Sequence, residues 1–376
     1  MSKPPLLFQA LQLRGLTLSN RIIVSPMCQY SAINGVAQAW HRAHLGQFMI
    51  SGTGMLILEA TAVEPIGRIT AGCLGLYDDH TELALASVLA ALRLLSDQPI
   101  AIQLGHAGRK ASSGRPWEGG QQVPLEKGGW TAVAPSAIAH IAGEVPPHAL
   151  SLDELAALKK KFVDGTQRAD RLGIQAIELH AAHGYLLHEF LSPIANQRQD
   201  QYGGSLANRM RYPLEVFDAM RAAWPESKPL GLRLSATDWC EHLPERWELN
   251  DAVEFAKLLD QRGIDWIDVS SGGVSPTQKI AVGPGYQVPF AAAIKAQVTC
   301  KVMTVGMITE PQQAENILKA GQADMIALAR GITRDPRWAW NAAMALGGQI
   351  TAPRQYWRSQ PSGYKDLFGE TTFGQR

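Results

Sequence analysis

Short apolar runs alternate with longer amphipathic stretches from one end of the chain to the other. Runs at 22–25, 55–59, 100–104, 176–180, 230–234, 266–269, 301–305 and 325–329 have the length and character of buried strands. Residues 41–50, 82–95, 152–172, 207–224, 249–262, 291–298, 310–320 and 336–346 carry apolar positions at helical spacing. Ser151 ahead of Asp153 and Glu154 predicts an N-cap, and Gly173, Gly263 and Gly321 stand where a glycine ends a helix. Eight βα units in series predict an α/β fold closed as a (β/α)8 TIM barrel rather than an open sheet.

Two segments break that rhythm. Residues 107–147, after the third strand, are rich in Gly, Pro, Ser and Trp, and so long an excursion predicts a lid-like cap with structure of its own. Residues 352–376 form a tail carrying Tyr356, Trp357 and Arg358 and ending in Phe373-Gly374-Gln375-Arg376. Aromatic and basic residues this late predict docking, with a neighbouring subunit as one partner. The expected organisation is a single barrel over 1–376 with these two additions.

Composition narrows the class. Of 376 residues 46% are hydrophobic, enough for a large core, and barrels of about 250 residues and more fold as one domain. A net charge of +1 with no basic segment argues against a nucleic-acid partner. Cys28, Cys73, Cys240 and Cys300 make no CxxC pair, so a reducing setting is expected. No charged-then-apolar leader and no run of 18 apolar residues is present, which predicts a cytoplasmic protein without a membrane span.

The chemistry gathers where the strands end. The fourth run leads into His180-Ala181-Ala182-His183-Gly184-Tyr185, two histidines and a tyrosine within six residues. The i,i+3 spacing predicts a helical turn with both imidazoles on one face. Other strand ends supply Ser25-Pro26-Met27-Cys28-Gln29-Tyr30, Glu59-Ala60-Thr61, Gln103 with His106, Arg233, Gly306, and Ala329-Arg330-Gly331. In a barrel these ends share one face, and glycines with an arginine after strands seven and eight predict a phosphate-bearing ligand.

Three readings of the histidine pair compete. It could ligate a metal, but no third ligand motif or acidic cluster accompanies it. It could be structural, as single core histidines often are. The favoured reading is a pair of hydrogen-bond donors aimed at a ligand oxygen. Cys28 by itself is weak evidence, strengthened by its place at a strand end. His41 and His44 read as helix-face residues, Arg109-Lys110 as a solvated charge pair or a lining of the lid, with the first favoured, and Trp117 and Trp130 as packing within the excursion.

Taken together, these motifs resemble the old yellow enzyme family, closest to its xenobiotic-reductase and thermophilic-like branch. The resemblance covers nearly the whole chain. It rests on the strand-end segments above and on Asn20-Arg21-Ile22, His106-Ala107-Gly108-Arg109-Lys110, Ala134-Pro135-Ser136, Leu191-Ser192-Pro193, Asn196, Arg198, Asp200-Gln201-Tyr202-Gly203-Gly204-Ser205 and Asn208-Arg209. It implies non-covalent FMN, held by Ser25, Pro26, Met27, Cys28, Ala60, Gln103, Arg233, Gly306, Ala329 and Arg330. Gln103 and Arg233 would meet the pyrimidine edge, and Gly306, Ala329 and Arg330 the phosphate.

The same resemblance implies reduction of activated C=C bonds in enones, enals, maleimides and nitroalkenes, extending to nitro compounds. His180 and His183 would bind the substrate oxygen, Tyr185 would donate the proton, Tyr30 and Trp357 would line the substrate side, and Cys28 would modulate the flavin. NADPH would serve as a visiting reductant, consistent with the lack of a G-x-G-x-x-G fingerprint. A homodimer or higher homo-oligomer is implied, with Trp357 brought toward the active site of its own or a neighbouring subunit. Val305 stands where relatives carry tryptophan, which predicts a differently shaped pocket. A zinc hydrolase on the same barrel and a flavoprotein acting on RNA remain the competing classes.

Overall fold

Each apolar run forms a strand because both of its faces are covered. Within the barrel wall, Ile23, Met55, Ile57, Ala101, Ala176, Trp266, Met303 and Met325 point inward into one cluster. Their neighbours Ile22, Val24, Leu56, Leu58, Ile100, Ile102 and Leu104 point outward into a second cluster shared with the helices. Each such side chain contributes about 1.5–3 kcal/mol on burial.

The structure, a computed structural model, describes residues 4–364, 366–369 and 371. Strands β1 (Ile22–Val24), β2 (Met55–Ala62), β3 (Ile100–Gly105), β4 (Ala176–Ala181), β5 (Leu230–Ser235), β6 (Trp266–Ser270), β7 (Lys301–Thr304) and β8 (Met325–Leu328) close into a barrel. Every pairing is parallel and in chain order, and β8 returns to β1 with Ile326 opposite Ile22. Helices α1 (Ala39–Met49), α2 (Asp79–Arg93), α3 (Leu152–Arg171), α4 (Leu206–Ala223), α5 (Leu249–Gln261), α6 (Val288–Lys295), α7 (Pro311–Lys319) and α8 (Trp338–Leu346) lie outside. The Ser151 cap of α3 is present: its hydroxyl accepts from the Glu154 N–H, and the Glu154 carboxylate accepts from the Ser151 N–H.

Several elements depart from the expectation. A hairpin of Leu11–Leu13 and Leu16–Leu18 precedes β1, and Leu11, Leu13 and Leu18 pack among the inward residues of the wall. Short helices Leu186–Leu191 and Arg330–Arg334 follow β4 and β8. A register shift in the β2–β3 pairing, between Leu58 and Thr61, displaces Glu59 and Ala60 at the rim. Among the described residues no helix is long and apolar enough to cross a membrane.

Residues 107–147 carry structure of their own, with 3-10 turns at Gly108–Lys110, Pro116–Glu118 and Leu125–Lys127 and a strand Val133–Ala134 paired with His148–Ala149. Trp130 packs, like Tyr185, against the cluster of Ala107, Ala111 and Ala132, and its indole N–H donates to the Ile66 carbonyl. Trp117 departs from the expected packing: it is 68% exposed and meets the edge of Tyr30 at 5.7 Å. In the tail, Tyr356 and Phe368 pack on Trp340 of α8. The expected terminus Phe373 to Arg376 lies outside the described residues.

Candidate active site

The site is built on the end of β4. His180 still belongs to the strand, while His183 sits in a turn with φ 60°, so the pair meets by a route other than the expected helical turn. A left-handed histidine needs support from its surroundings. Its N–H donates to Ser235 Oγ at 2.9 Å, and its carbonyl accepts from Lys110 Nζ at 2.9 Å. The turn also lies flush against the 272–273 loop: a Cβ on Gly184 would stand 2.1 Å from the Gly273 carbonyl oxygen. Only glycine permits that approach.

Three rings converge there. His180 meets His183 edge-on with centroids 5.1 Å apart, and it meets Tyr185 in the same way at 5.1 Å. Burial, and then the positive charge of Arg233, hold both imidazoles well below the usual histidine range, so both are neutral. The tautomer of His180 follows from its neighbour. The Ala182 N–H donates to His180 Nδ1 at 3.2 Å, which leaves the proton of this ring on Nε2. His183 Nε2 lies 2.7 Å from Ser270 Oγ. Ser270 Oγ in turn donates to Gln287 Oε1 at 3.3 Å, an oxygen that also accepts from Ser271 Oγ at 2.7 Å.

Burial also pushes the Tyr185 phenol well above its ordinary value. Lys110 lies 5.0 Å over the Tyr185 ring, and burial pulls its ammonium down to about 8. The expectation of a solvated Arg109-Lys110 pair is therefore overturned. Arg109 is 5% exposed and donates to the Val274 carbonyl at 2.6 Å, while Lys110 ties the 108–110 turn to His183 and Gly273. The segment looked solvated because two adjacent cations usually are. The sequence signal that could have corrected this was their position immediately after a strand end.

Deeper in the barrel, Gln103 and Arg233 stand on β3 and β5. Gln103 Nε2 donates to Glu178 Oε1 at 2.8 Å, and Arg233 Nη1 donates to Ser25 Oγ at 3.2 Å while its Nε faces Asp268 at 3.2 Å. Ser25 is buried, and Pro26, Met27 and Cys28 are partly open at the end of β1, beside the rim residue Ala60. The Cys28 thiol interacts with Cys73, and that hydrogen bond, followed by burial, raises it well above the ordinary cysteine value. Tyr30 has φ 53° and its carbonyl accepts from Arg115 Nε at 3.1 Å. His41 and His44, expected on a helix face, lie in α1 on its buried side, and His41 Nε2 lies 3.4 Å from Glu59.

Gly306 follows β7, while Ala329 and Arg330 open the short helix after β8. Val305 is buried with the inward residues of the wall. Trp357 does not join the ring cluster: its indole donates to the Ala352 carbonyl at 3.1 Å, and Arg354 lies 5.7 Å over it. Among the described residues no three His, Cys, Asp or Glu side chains form a group able to hold a metal.

Comparison with known proteins places this geometry in a family. The NADH:flavin oxidoreductase / NADH oxidase family matches residues 6–347. An NADPH dehydrogenase of Geobacillus thermodenitrificans is 42% identical over 354 residues, 94% of this chain and 98% of its own. One from Bacillus subtilis is 40% identical, with the same coverage of both chains. Morphinone reductase superposes with a TM-score of 0.74 at 26% identity, over 97% of this chain and 96% of its own. A second morphinone reductase structure, in complex with tetrahydroNAD, gives 0.73 at 27% identity over 99% of each. The chain belongs to the NADH:flavin oxidoreductase / NADH oxidase family, the old yellow enzymes, and is an oxidoreductase that pairs a flavin with a nicotinamide nucleotide.

Proposed function

We propose that the protein is an FMN-containing, NADPH-dependent reductase of activated C=C bonds. The observation that carries this reading is the cluster of two neutral imidazoles and one phenol at the strand end, above a buried amide and guanidinium. The inner residues suit a flavin. Gln103 uses its Nε2 on Glu178, and among the described residues nothing bonds its Oε1, so an acceptor is free for the cofactor's imide edge. Arg233 brings a cation to the same level, and Ser25 to Cys28 with Ala60 would flank the ring. Gly306, Ala329 and Arg330 combine backbone N–H groups with a cation, the donor set a phosphate needs. Once bound, FMN supplies the hydride, taken from NADPH and passed to the alkene.

The remaining steps belong to the chain. His180 Nε2–H and the imidazole of His183 would hold the carbonyl or nitro oxygen and stabilise negative charge developing on it. Because both rings are neutral, they donate hydrogen bonds without surrendering protons. Tyr185 would deliver the proton to the carbon α to the activating group. Lys110, over the ring, would offset the charge the phenol gains by doing so. Tyr30 would border the alkene. Trp357 lies apart from the site of its own chain, so a contact with substrate requires a second copy. Enones, enals, maleimides and nitroalkenes share the electron-poor alkene and oxygen acceptor this arrangement needs, and nitro compounds share the acceptor.

The test is a visible spectrum of the purified protein, taken anaerobically with NADPH and then with 2-cyclohexenone. A yellow protein that bleaches with NADPH and regains its colour with the enone is the expected result. A colourless protein with stoichiometric zinc would overturn the reading. A protein that bleaches and then ignores every electron-poor alkene would retain the cofactor and refute the substrate class.

A further inference from the structure

Two carboxyl groups that touch neither the ring cluster nor the mouth of the barrel stand directly behind the residues proposed to face the cofactor. Glu178 and Asp268 are both 0% exposed. Gln103, Glu178, Gly231 and Trp266 occupy one row across β3, β4, β5 and β6. Glu178 Oε1 accepts from Gln103 Nε2 at 2.8 Å, and Oε2 accepts from Trp266 Nε1 at 3.1 Å. The indole reaches Glu178 because Gly231 lies between them: a Cβ there would sit 2.0 Å from the Trp266 ring. Two residues further along, His180, Arg233 and Asp268 form the next row, with Arg233 Nε 3.2 Å from Asp268 Oδ2.

Burial and the neighbouring Asp268 push the Glu178 carboxyl up to about 8, so it keeps its proton at neutral pH. Burial raises Asp268 as well, but the Arg233 guanidinium 3.2 Å away pulls it back down, so of the two carboxyls Asp268 is the one placed to carry charge opposite the cation. A carboxyl group inside an apolar strand is costly to bury, and two in adjacent rows need a reason.

We propose that Glu178 and Asp268 are positioning residues for the flavin: Glu178 fixes the amide of Gln103 with its oxygen toward the cofactor, and Asp268 tempers the charge of Arg233, so that together they set how tightly reduced and oxidised FMN are held. The inference rests on the FMN reading above. The direction follows from charge. A reduced flavin that carries negative charge gains from a cation, and Asp268 weakens that gain.

The experiment is a potentiometric titration together with a measurement of FMN affinity, on the parent, Asp268→Asn and Glu178→Gln. Asp268→Asn should favour reduced over oxidised FMN about tenfold more than the parent, a rise of about 30 mV for a two-electron couple. Asp268→Glu should return toward the parent. In Glu178→Gln the new amide nitrogen must face a donor, Gln103 Nε2 or Trp266 Nε1, so one bond is lost and FMN should bind about tenfold more weakly. Trp266→Phe removes the indole N–H and part of the ring volume but leaves the Gln103–Glu178 bond in place, and it should weaken FMN less, which keeps the idea open to refutation if a carboxyl variant does not fold. Variants that bind FMN with the parent's affinity and potential would overturn this inference alone. A parent that takes up no FMN would overturn the proposed function, and this inference with it.

Discussion

At the scale of single residues, the arrangement around Tyr185 separates two half-reactions. The phenol is raised by burial and stands under the Lys110 ammonium. Its proposed work comes after the cofactor has been reduced, since only the alkene needs its proton. Tyr185→Phe should therefore leave anaerobic bleaching by NADPH at the parent's rate and slow recolouring by an enone about 10²–10⁴-fold, the usual share of a general acid. The pH profile of recolouring adds a second readout. Lys110 loses its charge as pH rises through about 8, and with it goes the cation that stabilises the ring after proton donation. The rate should fall across that range, and Lys110→Met should remove the inflection. Glu189 titrates in the same range because burial lifts it to about 8, and an inflection that survives in Lys110→Met would assign it there. Stopped-flow absorbance follows both half-reactions, and loss of bleaching in Tyr185→Phe would refute the role.

At the scale of elements, the turn after β4 shows what a short polar segment needs in order to hold a strained shape. His183 keeps φ 60° because Ser235 and Lys110 bind its N–H and carbonyl and Gly273 leaves room for Gly184. Ser235→Ala would bury the His183 N–H without a partner, a cost of about 1–3 kcal/mol. Denaturant titration should show that loss, and a phenol should bind more weakly as the imidazole shifts. An unchanged midpoint would mean the turn is held without Ser235. The same turn marks where sequence reading ends. All eight wall strands were legible, because doubly buried strands read as apolar runs. The i,i+3 histidines were legible as neighbours but not as a left-handed turn, because its supports come from β5 and from residues 108–110, remote in sequence. Glu178 stands in the fourth apolar run, two residues before His180. Its partners Trp266 and Asp268 emerge only when β4, β5 and β6 are in register.

At the scale of the molecule, the two ends of the barrel divide the labour. Strand ends and their loops carry the titratable groups at one mouth, whereas the N-terminal hairpin sends Leu11, Leu13 and Leu18 in among the inward side chains of the wall. Its three-residue strands are too short to give a periodic signal, so the sequence offered no warning of it. The arrangement predicts that stability and chemistry can be changed separately. Leu13 is 1% exposed and packs among inward residues that include Ile23, Met55 and Trp266. Leu13→Ala would leave a cavity there and should cost about 2–5 kcal/mol in unfolding free energy. The rings of His180, His183 and Tyr185 would keep their positions, since their supports come from β4, β5, β6 and residues 108–110. At a temperature where the variant remains folded, its rates of bleaching by NADPH and recolouring by an enone should match the parent's. Equal stability would mean that the hairpin adds nothing to the core. A loss of rate in the folded variant would mean instead that packing at the base reaches the mouth, with the Trp266–Glu178–Gln103 row as the physical route.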